Sequence, residues 1–214
     1  MPESRMTVAM AGMPALVAGG SRMDTRRGLG HGESDFAVGF FGRLVAEKGV
    51  HVLMGAAYQL PDVRFEIFGD GPSRRSLEAG AAMAGLAGVR LRGYVSDVAE
   101  AMAAMDAIAI PSVWVEAFGY SALEAMSLGV PVVASRRGGL AEIIEHERTG
   151  LLFEPGDAGA LAAAISRLRE DPAFRDSLGA AGAEAQRAEY SVEKMAERVE
   201  AVYLKLSPAR RLHS

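Results

Sequence analysis

The chain has 214 residues, half of them hydrophobic, which is enough to bury a sizeable core and excludes an intrinsically disordered polymer. Its formal net charge of −4, with Lys and Arg scattered rather than striped, leaves no basic field for a nucleic acid partner. Cysteine is absent, which excludes disulfides, thiolate nucleophiles and cysteine-ligated zinc and fits a cytoplasmic setting.

The first twenty residues, MPESRMTVAMAGMPALVAGG, combine an arginine with a small-residue apolar stretch, but Pro14 interrupts it and no leucine-rich centre follows, so they are not read as a signal peptide. No other segment approaches the ~18 continuous apolar residues of a membrane span. Residues 1–35, rich in Gly, Ser and Arg, are predicted to be weakly ordered. From residue 36 short apolar runs alternate with longer helix-like stretches. The predicted strands are 37–42, 63–69, 89–94, 107–112 and 130–135. The predicted helices between them are 48–58, 73–86, 98–105 and 118–128, with Ala and Leu at turn-like spacing. Helices at 158–169, 173–187 and 192–206 then follow without intervening strands, and 207–214 form a tail. This alternation predicts an α/β fold, a doubly wound, Rossmann-like parallel sheet with helices on both faces, over residues 36–206.

In such a sheet, ligands bind at the carboxyl ends of the strands, where helix N-termini present free N–H groups. The dinucleotide fingerprint GxGxxG is missing after the first strand, and GDGPS (69–73) lacks the Lys-Ser/Thr pair of a P-loop, so it reads as a strand-to-helix turn. GRLVAEKG (42–49) directly follows the first strand. Taken alone, its Arg43 and Lys48 are either solvated cations at a helix entrance or a pair able to converge on a diphosphate. PSVWVEAFGYSALEAMSLGVPVVAS (111–135) carries Glu116 in a loop and Glu124 two turns later. Gly119 permits close backbone approach, and the N–H groups of residues 119–122 are expected to face an anion at the helix start. Two carboxylates accepting hydroxyls, with a phosphate held between them, suit a polyhydroxylated ligand. The bland alternative is a helix-start acid favoured by the macrodipole plus a solvated glutamate.

GRLVAEKG, GDGP, VRLRGYVS, EAFGYSALEAMSLGVPVVAS, GGLAEII, TGLLFEPGD and AEYSVEKMAERVEAVY occur in that order over about residues 37–206. In this combination the chain resembles the C-terminal, donor-binding domain of glycosyltransferase family 4, whose members have the two-domain GT-B fold. The resemblance implies transfer of a sugar from a nucleoside diphosphate to an acceptor hydroxyl with retention at the anomeric carbon. Arg43 and Lys48 match the basic pair that neutralises the donor diphosphate and stabilises the leaving nucleotide, so no metal or other cofactor is expected. Glu116 matches the glutamate that meets the donor sugar, as an orienting and charge-stabilising group rather than a nucleophile. Phe118, Gly119 and Tyr120 match the stretch around the sugar, and Glu124 the ribose-binding glutamate. Arg92, Gly93 and Tyr94 lie where the family's loop borders the base, and Leu123 near the phosphates.

Only some 36 residues precede the first strand, and SRMDTRRG (21–28) resembles the end of an interdomain linker. The expectation is therefore a fragment, truncated gene or split enzyme whose partner is a separate N-terminal acceptor domain. Any membrane-surface association would pass through that domain. The last helix would then expose Val192, Met195, Val199 and Tyr203. A non-catalytic nucleotide-sugar-binding or assembly module is the alternative, and an epimerase of the same fold a third. Gly138 and Gly139 either shape a loop near the donor or form a simple turn. His31, His51, His146 and His213 show no ligand spacing and are read as surface or packing residues. Glu142, Glu145 and Glu147 are read as a solvated helix face and its end.

Overall fold

The computed structural model describes residues 10–206. Residues 1–9, the tail 207–214 and His213 lie outside the described residues. In chain order the elements are α1 (Arg22–Gly28), β1 (Phe36–Phe41), a 3-10 turn (Ala46–Lys48), α2 (Val50–Gln59), β2 (Val63–Phe68), α3 (Arg74–Met83), β3 (Val89–Gly93) and α4 (Val98–Ala103). They continue with β4 (Ala107–Ile110), α5 (Tyr120–Ser127), β5 (Val132–Ser135), α6 (Gly139–Ile143), β6 (Leu151–Phe153), α7 (Ala158–Glu170), α8 (Pro172–Glu189) and α9 (Val192–Leu206).

The strands form one parallel sheet in the order β3-β2-β1-β4-β5-β6. Because alternate residues of a strand point to opposite faces, each strand feeds two cores. Val38 and Phe40 of β1, Phe65 and Ile67 of β2 and Val133 of β5 join one of them with Leu53 of α2 and Leu161 and Ile165 of α7. Ala37, Ile108, Val132 and Ala134 join the other with Met102 of α4, Leu123 and Met126 of α5 and Leu140 of α6. Burying each of these large side chains contributes about 1.5–3 kcal/mol.

The sheet has six strands rather than the predicted five. β6 is three apolar residues, too short for a period of two to show. The short α6 follows the Gly138-Gly139 pair and ends at Ile143, so of Glu142, Glu145 and Glu147, read as a helix face and its end, only Glu142 lies on a helix. The first three predicted strands run one residue too far, the second into Gly69 at φ 126°, and Pro111 and Pro131, which lack an N–H, lie just outside β4 and β5. Gly49, at φ 67°, separates the 3-10 turn from α2, so the predicted helix 48–58 begins at Val50. Gly119, at φ 97°, delays α5 to Tyr120.

The segment 1–35 was predicted to be weakly ordered, yet its described part carries α1 and is tied to the sheet. The buried Arg26 guanidinium donates to the Ala104 carbonyl (2.9 Å) and to Asp106 (3.0 Å). Asp106 in turn accepts from the Ala37 N–H at 2.7 Å. Upstream, Met13 is buried and exchanges bonds with α8, its N–H donating to the Tyr190 carbonyl (2.9 Å) and its carbonyl accepting from Gln186 Nε2 (3.2 Å). One of the arginines that suggested looseness supplies the first anchor, and the backbone of Met13 supplies the second. Among the described residues no helix is long and apolar enough to cross a membrane.

Candidate functional site

The strand order reverses between β1 and β4, the central neighbours, so the loops leaving their carboxyl ends diverge and open a crevice. Those loops are 42–49 and 111–119, the two stretches that carry Arg43, Lys48 and Glu116. The topology thus joins residues 68 positions apart in sequence.

Gly49 sets how closely the loops approach. A Cβ at this position would lie 1.8 Å from the Pro111 carbonyl oxygen, so only glycine fits, and its left-handed backbone suits glycine as well. The Glu47 carbonyl accepts from the N–H groups of Val113 (2.9 Å) and Trp114 (3.3 Å), which locks the 3-10 turn to the β4 loop. Lys48 Nζ is left against Glu116 Oε1 at 2.6 Å. The buried Ser112 hydroxyl donates to the same oxygen at 2.5 Å. Both contacts fall on Oε1, and Oε2 makes no hydrogen bond among the described residues. The Glu116 side chain is 19% exposed and that of Lys48 34%, so the pair is only partly screened by water.

Behind Glu116, its carbonyl accepts from the Gly139 N–H at 2.8 Å. Cβ atoms at Gly138 and Gly139 would meet the Glu116 carbonyl and the Phe118 backbone at 2.5 and 2.6 Å. The pair forms the strand-to-helix turn from β5 into α6, with Gly138 as the N-cap, and its close packing seats that turn against the loop carrying Glu116. GDGPS is the expected turn, and it also braces the Arg43 loop: Leu44 donates to the Asp70 carbonyl (2.9 Å) and accepts from the Ser73 N–H (2.9 Å).

Arg43 is exposed and lines a groove of about 370 Å³ with Phe41, Phe68, Asp70, Tyr94 and Val95. Phe41 and Phe68 stack on its floor, with ring centroids 4.6 Å apart. Gly93, buried at φ 78°, turns the chain so that Tyr94 stands on the rim. Arg92 does not join the groove. Its guanidinium pairs with the buried Glu66 on the neighbouring strand and donates to the Leu29 carbonyl. These contacts give Arg92 a structural role that its sequence position beside the groove did not show. His31 Nε2 approaches Glu66 Oε1 at 3.2 Å, and burial pushes the imidazole below its ordinary pKa.

At α5, Gly119 caps the helix without a side-chain bond. The N–H groups of Gly119, Tyr120 and Ser121 bond to no backbone group among the described residues, so they are available to an anion. Ala122 was expected to join them, but its N–H closes the first turn on the Gly119 carbonyl at 3.0 Å. Tyr120 is exposed and meets Phe118 edge to face at 5.0 Å. Leu123 has its side chain fully buried in the core, which leaves only its backbone for the expected place near the phosphates. Glu124 is half-buried, and its carboxylate has no hydrogen-bond or ion-pair partner among the described residues. Burial raises its pKa above the ordinary carboxylate value.

Sequence reading missed Ser112, Gly49 and the Glu47 carbonyl. The only available signals were a Pro-Ser pair ending a strand and a glycine interrupting a helical pattern. Glu145 and Glu147 pair with Arg148 and Arg167 on the surface. Among the described residues no group of three or more His, Asp or Glu side chains is placed to hold a metal.

Residues 21–185 match the family model described as "Glycosyl transferases group 1". The chain is 37% identical over 157 residues to the lipopolysaccharide core biosynthesis glycosyltransferase LpsD of Rhizobium meliloti, covering 73% of this chain and 46% of that protein. It is 36% identical over 159 residues to a 2-deoxystreptamine glucosyltransferase of Streptomyces kanamyceticus, covering 71% and 41%. Among solved structures, Anabaena HepE in complex with UDP and glucose superposes with a TM-score of 0.81 at 30% identity, over 86% of this chain and 51% of that one. The C-terminal domain of a group 1 family protein, LpcC, from Francisella tularensis superposes with a TM-score of 0.74 at 25% identity. There the overlap covers 85% of this chain and the whole of that domain. The chain spans less than half the length of these two curated relatives.

Proposed function

Since the chain belongs to the group 1 glycosyl transferases, we propose that it is the nucleotide-sugar-binding half of a retaining glycosyltransferase of family 4. The observation that carries this reading is the convergence of a cation, a carboxylate and unpaired helix N–H groups on one crevice at the switch point of the sheet. A nucleoside diphosphate sugar has the complementary order of groups, a polyol, a diphosphate and a second polyol.

In this reading Lys48 and Arg43 receive the diphosphate together with the N–H groups at the start of α5, and stabilise the charge that grows on the leaving phosphate. Fixed positive charge of this kind takes the role a divalent ion would otherwise fill, so binding should survive chelation. Glu116 offers Oε2 to the hydroxyls of the transferred sugar, with Phe118 and Gly119 beside it. Glu124 offers a desolvated carboxylate with no competing partner to the ribose hydroxyls. Tyr94 and the Phe41–Phe68 groove border the base, with Gly93 turning the chain toward it.

Retention follows from a short-lived oxocarbenium-like ion pair attacked from the face the phosphate leaves, with that phosphate accepting the proton of the acceptor hydroxyl. No protein nucleophile is needed. The acceptor site would belong to a second, N-terminal domain, which fits a chain spanning about half of its relatives. The exposed Val199 and Tyr203 of α9 offer that domain an apolar contact.

The test is calorimetric titration of the chain with UDP, GDP and ADP and their hexose conjugates. Saturable binding that Glu124→Ala abolishes supports the reading, and the absence of binding to every one of them refutes it. Transfer is then assayed with an N-terminal domain present, and its stereochemistry read from the anomeric configuration of the product.

A further inference from the structure

We propose that Trp114 packs its indole against the ring of the transferred sugar and so contributes to recognition of the sugar rather than the nucleotide; the proposal rests on the donor-site reading above. Ser112 and Glu116 are joined by the hydroxyl–carboxylate bond at 2.5 Å, which pinches residues 113–115 into a short excursion with Trp114 at its apex. The apex and the residue before it are fastened. The Val113 and Trp114 N–H groups donate to the Glu47 carbonyl, and the Val113 carbonyl accepts from Arg137 Nη1 at 2.8 Å.

The backbone is thus held from two directions while the largest side chain in the loop stays 70% exposed. Trp114 stands two residues from Glu116, a separation of at most about 7 Å along the backbone, within reach of anything Glu116 holds by hydrogen bonds. A hexose carries hydroxyls around its edge and C–H groups on its faces. A carboxylate on the edge and an aromatic plane on a face therefore recognise it together. An indole offers large, rigid contact area with few rotamers to freeze. Val115 is also exposed, at 58%, and packs beside Gly138, extending the apolar side of the same rim.

Trp114 is the only tryptophan in the chain, so intrinsic fluorescence reports on this residue alone. The experiment titrates the chain with UDP, GDP and ADP and with UDP-glucose, GDP-mannose and ADP-glucose. Emission is recorded beside calorimetry, and the titrations are repeated with Trp114→Ser and Trp114→Phe. The expected result is a shift to shorter wavelength and reduced quenching by acrylamide with a sugar conjugate, and little change with its matching diphosphate. Trp114→Ser should weaken the conjugate roughly three- to tenfold and leave the diphosphate unchanged, with Trp114→Phe restoring most of the loss. Equal fluorescence responses to conjugate and diphosphate, or an unchanged conjugate affinity in Trp114→Ser, would overturn the assignment while leaving the donor-site reading intact. No heat with any of the six compounds would overturn both.

Discussion

Lys48 Nζ lies 2.6 Å from Glu116 Oε1, joining the loop after β1 to the loop after β4 across the point where the sheet reverses its strand order. In the proposed site these two charges serve different ends of one donor, so separating them by mutation separates diphosphate binding from sugar handling. Lys48→Ala should weaken nucleoside diphosphate binding roughly ten- to a hundredfold through loss of a charge-assisted contact. Its stability cost is at most about 1 kcal/mol, because the side chain is one-third exposed. Glu116→Gln frees Lys48 and should leave diphosphate affinity equal or tighter while transfer in the assembled enzyme falls. Calorimetry and a transfer assay on the two variants check this. Equal loss of diphosphate binding in both would contradict it.

Glu124 supplies a pH-dependent expectation. Burial raises its carboxyl pKa above the ordinary value, so the folded chain holds this proton more tightly than the unfolded chain. The resulting stabilisation is full below the unfolded pKa and is lost as pH rises through the raised folded value. Glu124→Gln removes that titration. The melting temperature of the variant relative to the parent should therefore climb as pH rises through that range and stay level above it, while nucleotide binding is lost. A variant less stable than the parent at neutral pH would show that Glu124 is a structural residue instead.

Gly49→Ala tests the joint between the loops. An added Cβ would sit 1.8 Å from the Pro111 carbonyl oxygen at a left-handed φ, and the chain must shift to relieve it. The expected cost is roughly 2–4 kcal/mol by chemical denaturation, with weaker diphosphate binding because Lys48 moves too.

Arg92→Ala should behave in the opposite way. It strips the buried Glu66 of its cation and should cost about 2–3 kcal/mol in denaturant unfolding. Nucleotide affinity, measured where the variant remains folded, should be unchanged, since the guanidinium faces Glu66 and the Leu29 carbonyl. A selective loss of binding would restore Arg92 to the site.

The contrast between Arg92 and Lys48 shows what could be read from sequence. Strand and helix succession gave the parallel α/β sheet because apolar runs and turn-like spacing are local signals. It placed 42–49 and 111–119 at strand ends, where the structure brings Lys48 and Glu116 together. What a side chain does next depends on partners distant in sequence. Arg92 lies beside the groove along the chain but is captured by Glu66 on the neighbouring strand. Leu123 is one residue from Glu124 yet points into the core, a consequence of the 100° step between successive helix residues. β6 and the anchored segment before β1 were illegible for the same reason: three residues carry no period, and Arg26 and Met13 find their partners only in the folded chain.

The most direct measurement is calorimetric titration of this chain with UDP, GDP and ADP, each with and without a chelator, on the parent and on Glu124→Ala. The donor-site account expects one-site saturable binding to at least one nucleotide, insensitive to the chelator and absent in Glu124→Ala. No heat with any of the three, or binding indifferent to Glu124, would contradict it.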